Sequence, residues 1–201
     1  MKLYHSAFTR SGRARWMLEE VGEPYEIQRL ALSKGEGRTP EYLALHPHGV
    51  VPALTDGDLK LIESSAIVMH LADKFPEKKL APALGTQGRA EYDSGMVYVP
   101  ATIDPVLEVI TAHTRFLPEE KRVPSLVEAA KKKLATIVSV LEAAVDGRDF
   151  IVGGAFSGAD VIVASALGWL AFLGLLAEHP KLAAYHKKVT ERPAYARAYA
   201  D

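Results

Sequence analysis

Three stretches carry polar groups in patterns that could do chemistry. In Val50-Val51-Pro52-Ala53-Leu54 an extended run is interrupted by a proline. The proline lacks an N–H and biases Val51 toward extended backbone. The edge of such a strand can pair its main chain with an incoming extended peptide. In Glu63-Ser64-Ser65 an acid and two hydroxyls stand where a helix opens. Free N–H groups and the helix dipole favour a carboxylate there. Together the two places could hold a small peptide by its main chain and by one charged end. A surface hairpin followed by a serine-capped helix accounts for the same residues. In Thr9-Arg10-Ser11-Gly12 two hydroxyls lie between the first strand and the first helix, where N-capping is their ordinary use. The seven histidines form no His-Glu-x-x-His motif and no i, i+4 helical pair, so no metal site is expected.

These groups need a scaffold, and the apolar spacing supplies one. Leu3 to Ala7 reads as a strand. A helix follows from about Gly12 to Val21, with the stripe Ala14, Met17, Leu18 and Val21, and stops at Gly22. Trp16 falls opposite that stripe, so a second domain is expected to cover it. Tyr25 to Leu30 reads as a second strand, parallel to the first through a right-handed crossover. A loop over 33–39 and a short helix over 40–45 lead to a hairpin over 51–62, with Asp56-Gly57 as its turn. A helix over about 65–74 completes a domain built on a four-stranded mixed sheet. Residues 77–88, with Pro82 and Gly85, read as a linker after a first domain of residues 1–76. Residues 89–201 read as all-helical. A long helix over 89–116 is kinked at Pro100 and Pro105, and another covers about 125–145. On the latter, Lys131-Lys132-Lys133 beside Glu128 reads as a solvated face. Ser157 and Asp160 have the spacing of a capping box. They introduce an apolar run over 161–177, shorter than the ~20 residues a membrane span needs, which reads as a buried central helix.

Composition narrows the function classes. The chain has 201 residues, 48% hydrophobic and 24% charged, with net charge -1. That balance leaves no basic surplus for nucleic acid, and no partner of that kind, nor a membrane, is expected. The first residues enter a strand without an apolar leader, so a cytoplasmic protein is expected. There is no cysteine. Disulfides, thiolate zinc sites and Cys-x-x-Cys redox pairs are therefore ruled out, and any thiol chemistry must come from a ligand.

The segments V-P-A-L at 51–54 and E-S-x-A-I at 63–67 resemble the glutathione-binding motif of the glutathione S-transferase family, and the similarity runs through nearly the whole chain. The resemblance implies an α/β thioredoxin-like N-terminal domain followed by an all-α helical-bundle C-terminal domain. It implies that Pro52 is cis, that the Val51 backbone pairs with the cysteinyl part of glutathione, and that Glu63 and Ser64 hold its γ-glutamyl end. Val50 stands where the family often has Lys or Gln. The similar Ser-Arg-x-x-Arg pattern places the active hydroxyl at Thr9, followed by Arg10 and Arg13. Ser11 is the other candidate, and activation by backbone amides and the helix dipole alone is the third. Such a hydroxyl would stabilise the thiolate of a thiol whose ordinary pKa is ~8.5. The absent cysteine excludes the cysteine-dependent branches.

The resemblance further implies an enzyme joining the glutathione thiolate to a small apolar electrophile, with glutathione as co-substrate and no other cofactor. The electrophile would lie between the domains against the long helix, near Tyr92, Met96, Tyr98, Val99 and Ile103. A glutathione-dependent peroxidase or isomerase, or a non-catalytic glutathione-binding module, would use the same site. The helix over 65–74 leaves Ala66, Met69, His70 and Asp73 on a second face, too mixed for a core and too apolar for a free surface. A homodimer through that face is expected.

Overall fold

The computed structural model describes residues 1–200. It divides into two compact units: Met1–Ala81 joined by the C-terminal segment from Thr190, and Pro82–Val189. The boundary near 81 lies inside the stretch read as a linker. The C-terminal segment, however, groups with the first unit rather than with the helices that precede it.

In the first unit β1 (Lys2–His5) leads through a loop to α1 (Ser11–Val21), and β2 (Glu26–Arg29) returns parallel to β1. Two short 3-10 turns, Leu32–Lys34 and Glu36–Arg38, precede α2 (Pro40–Leu43). β3 (Ala53–Asp56) and β4 (Leu59–Ile62) form an antiparallel hairpin, and α3 (Ser64–Lys74) follows. The sheet order is β2-β1-β3-β4, with β3 antiparallel to β1. The hairpin register pairs Asp56 with Leu59, so its turn residues are Gly57 and Asp58, one position later than expected. Gly57 has φ 58°, the positive value that a two-residue turn with glycine first requires. α1 ends at Gly22, whose φ of 76° returns its N–H to the Leu18 carbonyl. α1 packs on α3 and β1.

Trp16 is completely buried. Its ring meets Tyr195 at 4.9 Å and Tyr199 at 6.4 Å, both edge to face. These rings belong to α9 (Pro193–Ala198) and the residue after it, in the stretch read as the second domain, whose last residues group with the first unit. Arg192 donates from Nε and Nη2 to the two carboxylate oxygens of Glu20, each at 2.7 Å. Arg197 donates to Glu19 at 2.7 Å. The forked Arg192–Glu20 pair adds geometric specificity to the docking.

The second unit is helical: α4 (Gln87–Tyr98), α5 (Asp104–Thr111), α6 (Pro124–Val145), α7 (Gly158–Phe172) and α8 (Pro180–Thr190). Gln87–Phe116 runs as one helix, with π-helical turns at Val99–Ile103 and Ala112–Phe116. The first contains Pro100, whose missing N–H the wider turn absorbs. By length and composition this helix could cross a membrane, but Arg89 and Asp104 are buried polar groups within it. α6 buries Ala130, Leu134, Ile137, Val138, Leu141 and Val145 and exposes the three lysines. Ser157 and Asp160 form the capping box of α7. The Asp160 carboxylate, wholly buried, accepts from Ile151 N–H (2.9 Å), Ser157 N–H (2.8 Å), the Ser157 hydroxyl (3.1 Å) and the Tyr185 hydroxyl (2.6 Å).

Candidate glutathione site

The segment before β3 is held from beneath. Tyr42 of α2 is buried and donates its hydroxyl to the Val50 carbonyl at 2.6 Å. Tyr4 leans on the Tyr42 ring at 5.4 Å. Burial pushes the Tyr42 hydroxyl up to about 12, so it remains a donor at every physiological pH. Val51 and Ala53 join this cluster with Tyr42. The Val51–Pro52 peptide is cis. The strand proper begins only at Ala53. Val50 is exposed and Val51 is buried.

One contact here escaped the linear reading. Gly37 and Gly49 pack backbone to backbone: a Cβ at Gly37 would strike the Gly49 carbonyl oxygen. Only two glycines allow that approach. It sets the Glu36–Arg38 turn against Gly49, and Arg38 Cδ and Nη1 come within 3.2 Å of where a Gly49 Cβ would stand. An exposed guanidinium thus lies beside Gly49, the residue before Val50. His46, beside this turn, is buried. Burial lowers its pKa, the neighbouring His48 adds to the effect, and Glu63 opposes it. A histidine depressed in the fold is protonated first in the unfolded chain, so acidification below ~6.5 weakens this corner.

Glu63 stands at the N-cap position of α3 with φ 72° and ψ 116°, a rare conformation for a residue with a Cβ. Strain of this kind collects where a side chain must be aimed. The Glu63 side chain makes no capping bond and is exposed. Ser64 is buried as the first helical residue. The Ser65 Oγ is buried without a hydrogen-bond partner among the described residues. The helix start therefore presents an exposed carboxylate beside N–H groups that no side chain caps.

The hydroxyls after β1 form a connected group. Thr9 Oγ1 donates to the Ser6 carbonyl at 2.7 Å and lies 2.7 Å from Ser11 Oγ. Ser11 Oγ lies 2.7 Å from His5 Nδ1. Ser11 has no exposed surface, whereas Thr9 is half-buried. Ser11 is not the N-cap of α1: Arg10 holds that position, without a side-chain capping bond. Arg13 is buried. Phe8, which no sequence pattern marked, is fully exposed at 101% with φ 57°.

Tyr92, Met96, Val99 and Ile103, expected to face a second substrate, have no exposed surface, and Tyr98 alone of the five is partly exposed. Their i, i+4, i+7, i+11 spacing is that of a core stripe, and a wholly buried side chain offers a ligand nothing to touch. No cluster of three or more potential metal-ligating side chains occurs among the described residues.

Residues 1–73 match the family model "Glutathione S-transferase, N-terminal domain", and residues 106–193 match "Glutathione S-transferase, C-terminal domain". The chain belongs to the glutathione S-transferase family. It is 33% identical to a probable glutathione S-transferase of Oryza sativa subsp. japonica, over 96% of this chain and 93% of that one. It is 31% identical to glutathione S-transferase GstB of Escherichia coli strain K12, over 88% and 86% of the two chains. Among solved structures, a sphingomonad glutathione S-transferase complexed with glutathione superposes with TM-score 0.86 at 30% identity, covering 100% of this chain and 98% of the other. The first unit carries the thioredoxin-like fold of this family, its second unit is the family's helical domain, and the protein is a transferase enzyme.

Proposed function

We propose that this glutathione S-transferase conjugates the glutathione thiolate to small apolar electrophiles. The observation that carries the reading is the juxtaposition of an exposed carboxylate on strained backbone at Glu63 with the open strand approach at Val51–Pro52. Glutathione would pair with the Val51 main chain and set its γ-glutamyl end on Glu63 and Ser64. Arg38 supplies a cation beside Gly49, next to the Val50 that stands where the family often has Lys or Gln, and suits the glycyl carboxylate. Phe8 supports an apolar acceptor, since a fully exposed aromatic in left-handed backbone beside Thr9 has no packing role.

Thr9 is the thiolate partner in this reading, because it keeps surface that Ser11 lacks. Thr9→Ala should lower turnover by on the order of 10²-fold or less and leave glutathione affinity nearly unchanged. The pKa of bound glutathione, read by thiolate absorbance, should rise toward that of the free thiol. An unmoved thiol pKa would pass the role to Ser11, and if Ser11→Ala left it unmoved as well, to backbone amides and the α1 dipole. Conjugation of a panel of apolar electrophiles, run beside peroxide reduction, tests the reaction class. Glutathione binding without turnover of any of them would refute the enzymatic reading.

The outward face of α3 supports a homodimer. Ala66 and Asp73 are exposed, Met69 and His70 partly so, and Asp56 pairs with Lys74 at the edge of the same face. Light scattering at micromolar concentration should give about twice the 21.9 kDa of one chain, and the single-chain mass would refute the dimer. A cytoplasmic location belongs to the same proposal.

A further inference from the structure

The geometry points to His5 as the positioning residue that turns the Thr9 hydroxyl toward the bound thiolate, acting through Ser11. This rests on the reading of Thr9 as the thiolate's partner. His5 is 3% exposed and Ser11 0%, so their bonds are fixed by the fold and not by solvent.

Counting protons gives the direction. A hydroxyl has one proton and two lone pairs. Ser11 Oγ accepts the Ser6 N–H at 3.1 Å, and Thr9 Oγ1 accepts the Ser11 N–H at 3.2 Å. Each oxygen thus has one lone pair already filled. Two side-chain contacts of 2.7 Å remain, His5 Nδ1 to Ser11 Oγ and Ser11 Oγ to Thr9 Oγ1. If Nδ1 accepts, Ser11 donates to it, and the Ser11–Thr9 contact is bonded only when Thr9 donates inward. No proton is then left for a ligand. If Nδ1 carries a proton, it fills the second lone pair of Ser11. Ser11 then donates to Thr9 at 2.7 Å, giving up its longer 3.0 Å contact with the Ser6 carbonyl because so short an approach of two oxygens needs a proton between them, and fills the second lone pair of Thr9. The Thr9 proton is the one left over, and only the Ser6 carbonyl, 2.7 Å away, competes with a thiolate for it. A charged acceptor wins that competition. The chain His5 Nδ1–H, Ser11 O–H, Thr9 O–H also polarises each successive bond toward sulfur. No proton leaves the enzyme: the relay orients donors and transfers none.

The test uses the full chain saturated with glutathione. Nitrogen-15 spectra of the His5 imidazole should show the proton on Nδ1, and a bare Nδ1 in the saturated protein would overturn the proposal. Thiolate absorbance supplies the second readout. His5→Phe should raise the thiol pKa in the same direction as Thr9→Ala and lower turnover about tenfold, the low end for losing an outer-shell orienting partner. His5→Asn sets an amide near the place of Nδ1 and should restore part of both. In a Thr9→Ala background His5→Phe should change nothing further, because the relay then ends nowhere. If Thr9→Ala raises the thiol pKa and His5→Phe does not, the role of His5 is wrong and that of Thr9 stands. If Thr9→Ala leaves it unmoved, the reading beneath this one has failed. Should His5→Phe fail to fold, the spectrum of the unaltered protein still decides.

Discussion

Asp160→Ala should destabilise the helical unit by about 3–5 kcal/mol, the upper range for a single substitution. Four donors converge on this carboxylate, from Ile151, Ser157 twice and Tyr185. Alanine leaves them together in a dry interior, where each unpaired donor costs about 1–3 kcal/mol less whatever relaxation recovers. The same change removes the capping box that starts α7, a helix whose buried residues run from Gly158 to Leu170. Chemical denaturation followed by circular dichroism measures the loss. Tyr185→Phe is the internal comparison, since it removes a single donor and should cost about 1 kcal/mol. If Asp160→Ala costs no more than Tyr185→Phe, the carboxylate does not organise this region.

Glu63→Ala combined with Ser64→Ala should weaken glutathione binding by about 2–4 kcal/mol, between roughly 30-fold and several hundred-fold in Kd. Both groups stand where α3 opens, and charge-assisted bonds at a helix start are the strong kind. Alanine at position 63 retains a Cβ and so the same backbone strain at φ 72°. The comparison therefore isolates the carboxylate from the conformation. Circular dichroism should show the fold intact, and isothermal titration gives the constant. An unchanged Kd would remove these residues from the site. Glu63→Gly is the complementary variant: it loses the carboxylate but relieves the strain, so it should be more stable than the alanine variant without binding any better.

What could be read from the sequence was what repeats locally. The stripe of α1, the spacing of Ser157 and Asp160, and the order strand, helix, strand, hairpin, helix all depend on neighbours within a few residues. What could not be read depends on approach through space. Gly37 and Gly49 lie in separate loops, and nothing in either loop announces that their backbones touch and bring Arg38 beside Gly49. The position of Trp16 says that its face needs cover, but not which residues supply it, and Tyr195 and Tyr199 lie almost the whole chain away. Ser11 has the residue type of a helix cap and lies one position too late to be one, so its hydroxyl turned inward to His5. Tyr92, Met96, Val99 and Ile103 lie at helical core spacing, and burial prevailed over the pocket expected of them.

The closure of α1 by residues near 195 also has a consequence in time. The bonds from Arg192 to Glu20 and from Arg197 to Glu19 join positions 172 and 178 apart. A ribosome makes the chain from Met1 onward, so Trp16 and the two acids emerge long before their partners exist. Every helix of the second unit must be synthesised first. The unit that starts the chain is therefore the last to be finished, and an N-terminal fragment ending near Ala81 would carry an uncovered tryptophan however well its sheet had formed.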